Sequence, residues 1–263
     1  MLRKSPRWRA PGKSKPSVGN DVGDTSSESS SASGCLTVDG LSAWYGQVEA
    51  VKGVSLRVER GEVVGLLGRN GAGKSTLLRS IARVHRGASG KVTLEGADVM
   101  RLRPDEVAVQ GLSLVREGGM VFETLTVREH LMLGKRVAER RQQVREIDEV
   151  AEWFPMIWKL LGAKGGHLSG GERQMLVLSM ALLGNPTCLL LDEPSAGLAE
   201  SVAEAMYEAI GRIAQGDVAL LVAEQDSRWI TGLAQRAYLI EMGTLVKEAA
   251  PSEVGGDELS WTS

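Results

Sequence analysis

The sequence has little cysteine, little histidine and no excess of charge of one sign. Its two cysteines, Cys35 and Cys188, are too few for a disulfide scaffold. Nothing in them demands an oxidising compartment. Its three histidines, His85, His130 and His167, stand far apart with no ligand spacing, which speaks against a metal site built on histidine. The net charge of -2 gives no global basic field, so no nucleic-acid partner is expected. Long apolar runs are lacking too. The longest, 175–183 and 218–223, fall short of the ~20 residues that a membrane-spanning helix needs. The N-terminus is basic but carries no apolar segment, so it does not read as a secretory signal. The chain is expected in the cytoplasm unless another protein holds it at a membrane.

What is there is an ordinary globular composition, with 263 residues, 43% of them hydrophobic and 24% charged. A chain of this size buries ~70% or more of its unfolded surface. Residues 1–34 differ from the rest. They hold Arg3, Lys4, Arg7, Arg9, Lys13 and Lys15 and then a serine-rich run, with too few apolar residues to offset the entropy of ordering. This segment is expected to be a disordered tail, and 249–263 a flexible one. The folded domain is expected over 35–248.

Within it the pattern is α/β. Leu36–Val38 and Val54–Val58 alternate like half-buried strands. Val63–Leu67 and Cys188–Leu191 are short continuous apolar runs, as buried parallel strands require. Further strands are expected at 91–95, 112–115, 218–223 and 238–241. Helices are expected from Lys74 to about His85 and across 127–160, where Ile147, Val150, Ala151 and Phe154 share one face. Strands alternating with helices argue for a parallel sheet covered on both faces.

The sharpest motif is Gly68-Arg69-Asn70-Gly71-Ala72-Gly73-Lys74-Ser75-Thr76, which fits G-x-x-x-x-G-K-[ST]. Chance alone produces that pattern about once in a hundred chains of this length. Here it also follows a strand and opens a helix, the context the motif requires. Glycines let several backbone N–H groups point inward at a phosphate, and the helix start adds positive potential. Lys74 is expected to reach the β- and γ-phosphates and Ser75 to place its hydroxyl on Mg²⁺.

Asp192-Glu193 follows the strand at 188–191. Beside a phosphate loop, Asp192 is expected to hold Mg²⁺ and Glu193 to act as general base on the attacking water. Leu168-Ser169-Gly170-Gly171-Glu172 opens an apolar helix. Ser169 with Glu172 three residues on reads as a capping box. The same helix start, with the Gly170 and Gly171 amides, also reads as a second phosphate site.

These three motifs, in this order and spacing, resemble the ATP-binding-cassette ATPases over roughly residues 35–248. The resemblance implies an α/β fold with a RecA-like P-loop NTPase parallel-sheet core, an antiparallel β subdomain and a helical subdomain at about 118–167. It implies ATP and Mg²⁺ as cofactors and a head-to-tail dimer in which Ser169 of one cassette faces the γ-phosphate bound on Lys74 of the other. Tyr45 matches the aromatic position that stacks on adenine.

Finer features resemble the cassettes of high-affinity branched-chain amino-acid importers. Glu117 stands where most cassettes have Gln, Ala199 where most have Asp, and Gln225 where most have a switch His. Glu117 is then a third Mg²⁺ ligand and Gln225 a γ-phosphate sensor, able to donate a hydrogen bond but not to carry charge. Arg116 and Glu200 depart from the proline usual at their positions in that branch.

The resemblance implies an ATPase that drives an importer from the cytoplasmic face of the cell membrane. Its partners are permease subunits, a second cassette and, indirectly, a solute-binding protein. A urea or amide importer is an alternative, as is a degenerate regulatory cassette, which Ala199 and Gln225 motivate. A soluble cassette of DNA repair or translation is disfavoured because no long heptad run is present.

Overall fold

The computed structural model describes residues 34–142, 146–250 and 253. The expected tails, 1–34 and 249–263, lie outside the described residues except for Gly34, Ala249, Ala250 and Glu253.

The chain opens with a long hairpin, β1 (Leu36–Tyr45) and β2 (Val48–Val58). β3 (Val63–Leu67) leads into α1 (Lys74–Ile81), followed by β4 (Ala88–Leu94) and the short β5 (Ala97–Asp98). Then come α2 (Pro104–Gln110), β6 (Leu112–Val115), α3 (Val127–Arg140), α4 (Ile147–Trp153) and α5 (Pro155–Lys159). After α6 (Gly170–Leu183) and β7 (Cys188–Asp192) follow α7 (Glu200–Ile213), β8 (Ala219–Glu224), α8 (Arg228–Thr231), β9 (Arg236–Glu241) and β10 (Thr244–Ala249).

Two sheets result. One is antiparallel, in the order β2-β1-β4-β5. The other runs β10-β9-β3-β8-β7-β6 and is parallel except for its β10 edge. Its central strands β3, β7 and β8 are buried at every residue. That is why they read as continuous apolar runs: helices or the second sheet cover both faces. Side chains still alternate between two cores. Leu66, Leu190 and Leu221 pack with Leu77 and Ile81 of α1 and with the antiparallel sheet. Leu67, Leu189, Leu191 and Val222 pack with Leu176 and Leu183 of α6 and with Met206 and Ile210 of α7. Each fully buried leucine contributes about 1.5–3 kcal/mol.

α3 and α6 approach closely. A Cβ on Gly134 would lie 2.5 Å from the Met180 carbonyl oxygen, so only glycine fits there. Thr126 caps α3 through a reciprocal box with Glu129.

Several elements differ from their sequence expectation. α1 stops at Ile81 rather than near His85, because Arg83 turns into the left-handed region at φ 61°. The helical stretch at 127–160 is three helices. Pro155 lacks an N–H and starts α5 afresh. The expected strand at 91–95 begins earlier, at Ala88. The strand pieces at 36–38 and 54–58 belong to longer strands of 10 and 11 residues, with register shifts between Val38 and Trp44.

Register sets the functional geometry. Leu67 pairs with Glu224 and Asp192 with Ala223, so β3, β7 and β8 end at one level. Ligands of open α/β sheets bind outside such carboxyl ends.

Candidate functional site

Beyond the end of β3 the chain wraps into the phosphate loop. Gly68 is buried, and a Cβ there would lie 2.5 Å from the Ile240 carbonyl oxygen. Gly73 caps α1 at φ 109°, where a Cβ would meet the Ala50 carbonyl oxygen at 2.8 Å. Both positions need glycine on steric grounds. Arg69, Asn70 and Gly71 are exposed at the loop tip, and Ala72 is buried beneath it. The Ala72 N–H donates to the Arg69 carbonyl at 3.1 Å and closes the loop.

Lys74 points back under this loop. Its Nζ donates to the carbonyls of Gly68 (2.7 Å) and Arg69 (3.1 Å) and stands 3.0 Å from Glu193 Oε1. The side chain is 3% exposed, so the ammonium is fixed rather than solvated. Ser75 Oγ donates to Asp192 Oδ1 at 2.8 Å.

Asp192 is fully buried at the end of β7. Arg79 approaches its Oδ2 at 3.8 Å, but that oxygen has no hydrogen-bond partner. Burial pushes the Asp192 carboxyl above its usual range, while the Ser75 hydroxyl and Arg79 pull it back. Glu193 follows in the left-handed region at φ 47°, its N–H donating to the Ala223 carbonyl at 3.0 Å. A non-glycine residue held so costs on the order of 1–3 kcal/mol, which the surrounding structure must offset. A cavity of about 390 Å³ opens over these groups, lined by Lys74, Ser75, Thr76 and Glu193 and walled by Ala50 and Met242.

The other candidate residues stand apart from this cavity. Tyr45 is exposed at the end of β1, with its ring 4.5 Å from that of His85. Glu117 is exposed just after β6. Gln225 is exposed after β8, and its N–H donates to Glu224 Oε2 at 3.3 Å. Ser169 and Gly170 are exposed at the start of α6, with Gly171 buried behind them. The capping box is formed there: Ser169 Oγ accepts from the Glu172 N–H, and Glu172 Oε2 accepts from the Ser169 N–H at 2.7 Å. None of these residues lines the cavity over Lys74.

Sequence reasoning missed Arg79 and Glu224. Arg79 sits one helical turn beyond Ser75 on α1, a spacing that brings it to the same strand end. Glu224 is 3% exposed and gathers four hydrogen-bond donors. Its carboxyl is raised by burial and lowered by Tyr207 and Ser195. A charged residue closing an otherwise apolar strand was its one local signal.

A phosphate loop at the end of β3, facing an Asp-Glu pair at the end of the buried strand β7, defines a P-loop nucleotide triphosphatase. The ABC transporter family model matches residues 51–196, more than half of the chain. The chain belongs to this family, whose activity is ATP hydrolysis coupled to transport.

The chain is 37% identical over 211 residues to the high-affinity branched-chain amino acid transport ATP-binding protein BraG of Pseudomonas aeruginosa, covering 80% of this chain and 91% of that protein. It is 33% identical over 226 residues to the lipopolysaccharide export system ATP-binding protein LptB of Haemophilus influenzae, covering 85% and 93%. The crystal structure of the ADP conformation of an ATP-binding cassette of an ABC transporter superposes with a TM-score of 0.74 at 24% identity, covering 85% of this chain and 95% of that one. That likeness establishes the fold. No helix of the described residues is long and apolar enough to cross a membrane.

Proposed function

We propose that this chain is the ATP-hydrolysing, energy-coupling subunit of an importer for branched-chain or related amino acids. The similarity to BraG carries the reading, at 37% identity over 91% of that protein's length. Glu117, Ala199 and Gln225 favour the same branch by resemblance. The similarity to LptB favours a second reading, an export cassette.

In the proposed reaction, water attacks the γ-phosphorus, the bond to the β–γ bridging oxygen breaks, and ADP and phosphate leave. Lys74 binds the β- and γ-phosphates. Glu193 takes the proton of the attacking water, which requires its carboxylate to leave Lys74 as phosphate oxygens replace it. The Ser75 hydroxyl and the unpartnered Asp192 Oδ2 fit a hard dication, and Glu117 is offered as a further oxygen ligand. Bound Mg²⁺ supplies charge neutralisation on the phosphate oxygens. Gln225 donates to the γ-phosphate and Tyr45 stacks on adenine.

Ser169, Gly170 and Gly171 are assigned to the nucleotide of a second cassette. The exposure of Ser169 and Gly170, with Gly171 buried behind them, supports a role across an interface. A dimeric structure of a post-hydrolysis cassette bound to ADP and phosphate shares the fold, with a TM-score of 0.72 at 21% identity over 82% of this chain and 98% of that one. The segment 118–167 is assigned the transmission of motion to permease subunits at the cytoplasmic face.

Affinity purification from detergent-solubilised membranes, with partners identified by mass spectrometry, tests the reading. Recovery of two multi-span permeases and a second cassette is expected. Their solute-binding protein should bind leucine or a related amino acid. Recovery with a lipopolysaccharide exporter, or with no permease, would overturn it.

A further inference from the structure

We propose that Glu224 is a positioning residue for hydrolysis, whose buried carboxylate ties the Ser195 turn to the Gln225 turn so that the two move as one. Glu224 Oε1 accepts from the Ser195 N–H (3.2 Å), the Ser195 hydroxyl (2.8 Å) and the Tyr207 hydroxyl (2.5 Å). Its Oε2 accepts from the Gln225 N–H at 3.3 Å. Its backbone carbonyl accepts from the Gly68 N–H at 3.3 Å. One residue therefore touches the phosphate loop, the turn two residues beyond Glu193, and Gln225.

All four groups facing the carboxylate are donors, and a carboxylate is the side chain that only accepts. Burying such a group without a cation is costly, so filling space does not account for it. A second strut joins the same two segments. Tyr207, on the helix after the Ser195 turn, stacks on Trp229, which follows the Gln225 turn, with ring centroids 4.9 Å apart and planes 7° apart.

Glutamine at position 224 keeps the shape but puts an NH₂ donor against either the Gln225 N–H or the Ser195 N–H, neither of which can accept. One backbone hydrogen bond of the tie is lost. The tie acts through Gln225, so the proposal rests on the γ-phosphate role assigned to that residue.

The test is ATP hydrolysis and ATP binding by the full-length chain carrying Glu224→Gln or Tyr207→Phe, each alone and combined with Gln225→Ala. Expected for Glu224→Gln is a kcat about tenfold lower with KM for ATP within about threefold, the pattern of a group acting after binding. Tyr207→Phe removes one donor of four and should lower kcat about two- to fivefold. In the Gln225→Ala background neither change should lower kcat measurably further, since coupled residues are not additive. Unchanged kcat in both single variants overturns the proposal. So does an undiminished loss in the Gln225→Ala background. If Glu224→Gln does not fold, Tyr207→Phe in the two backgrounds decides. If Gln225→Ala keeps wild-type turnover, the Gln225 assignment fails. A loss in Glu224→Gln then reports the Ser195 turn alone, and the two-turn tie is overturned.

Discussion

The ammonium of Lys74 lies 3.0 Å from the carboxylate of Glu193, although the two residues are far apart in the chain, one opening α1 and the other following β7. The contact joins the group assigned to phosphate binding with the group assigned to proton abstraction. In the proposed reaction a γ-phosphate entering the cavity competes with Glu193 for Lys74, and its binding releases the base.

Lys74→Ala should weaken ATP binding about 10- to 100-fold, the range for losing a hydrogen bond to a charged group. Titration with a fluorescent ATP analogue checks this. Affinity within twofold of wild type would remove Lys74 from the site.

Gly73→Ala should lower both stability and ATP affinity. Alanine must adopt φ 109° and place its Cβ 2.8 Å from the Ala50 carbonyl oxygen. A loss of more than about 1 kcal/mol is expected at a position with positive φ. Denaturant unfolding reads it directly, and an unchanged midpoint would show that the loop relaxes.

The central strands were legible in the sequence because burial on both faces leaves a local mark. β3 and the Cys188–Leu191 stretch of β7 are uninterrupted apolar runs. The phosphate loop was legible because its motif is nine consecutive residues, although the atoms that crowd Gly68 and Gly73 belong to the distant Ile240 and Ala50. β10 was not, because an edge strand reading Thr-Leu-Val-Lys-Glu-Ala carries little apolar pattern. Arg79 and Glu224 were not, because their partners come from other strands and helices. No spacing along the chain shows that Ser195, Tyr207 and Gln225 converge on one carboxylate.

Asp192 should make stability depend on pH. Burial is the main cause raising its carboxyl above the usual 3.8. The folded protein therefore holds this proton to higher pH than the unfolded chain does. The favourable contribution is full below the unfolded value and is lost as pH rises through the folded value. At neutral pH the buried charge costs stability. Asp192→Asn should then raise Tm at pH 8, by about 2–4 °C for each kcal/mol relieved, and leave it little changed near pH 3.5. Hydrolysis should be lost in the same variant. A lower Tm at pH 8 would contradict the burial argument.

Ser169→Ala should shorten α6 at its start. Loss of an N-cap costs about 0.5–2 kcal/mol. Ser169→Asp keeps a capping acceptor but adds a negative charge where a partner's γ-phosphate is assigned. It should keep wild-type stability and lose ATP-induced dimerisation, read by size-exclusion chromatography with light scattering. Dimerisation by the aspartate variant would detach Ser169 from the interface.

The most direct test of the account compares wild type with Glu193→Gln for ATP binding, ATP-induced dimerisation and steady-state hydrolysis. The amide keeps the shape of the carboxylate but cannot accept the proton of water at neutral pH. The account predicts that the variant binds ATP and dimerises while turnover falls about 10²- to 10⁴-fold. Equal turnover in the two proteins would contradict it.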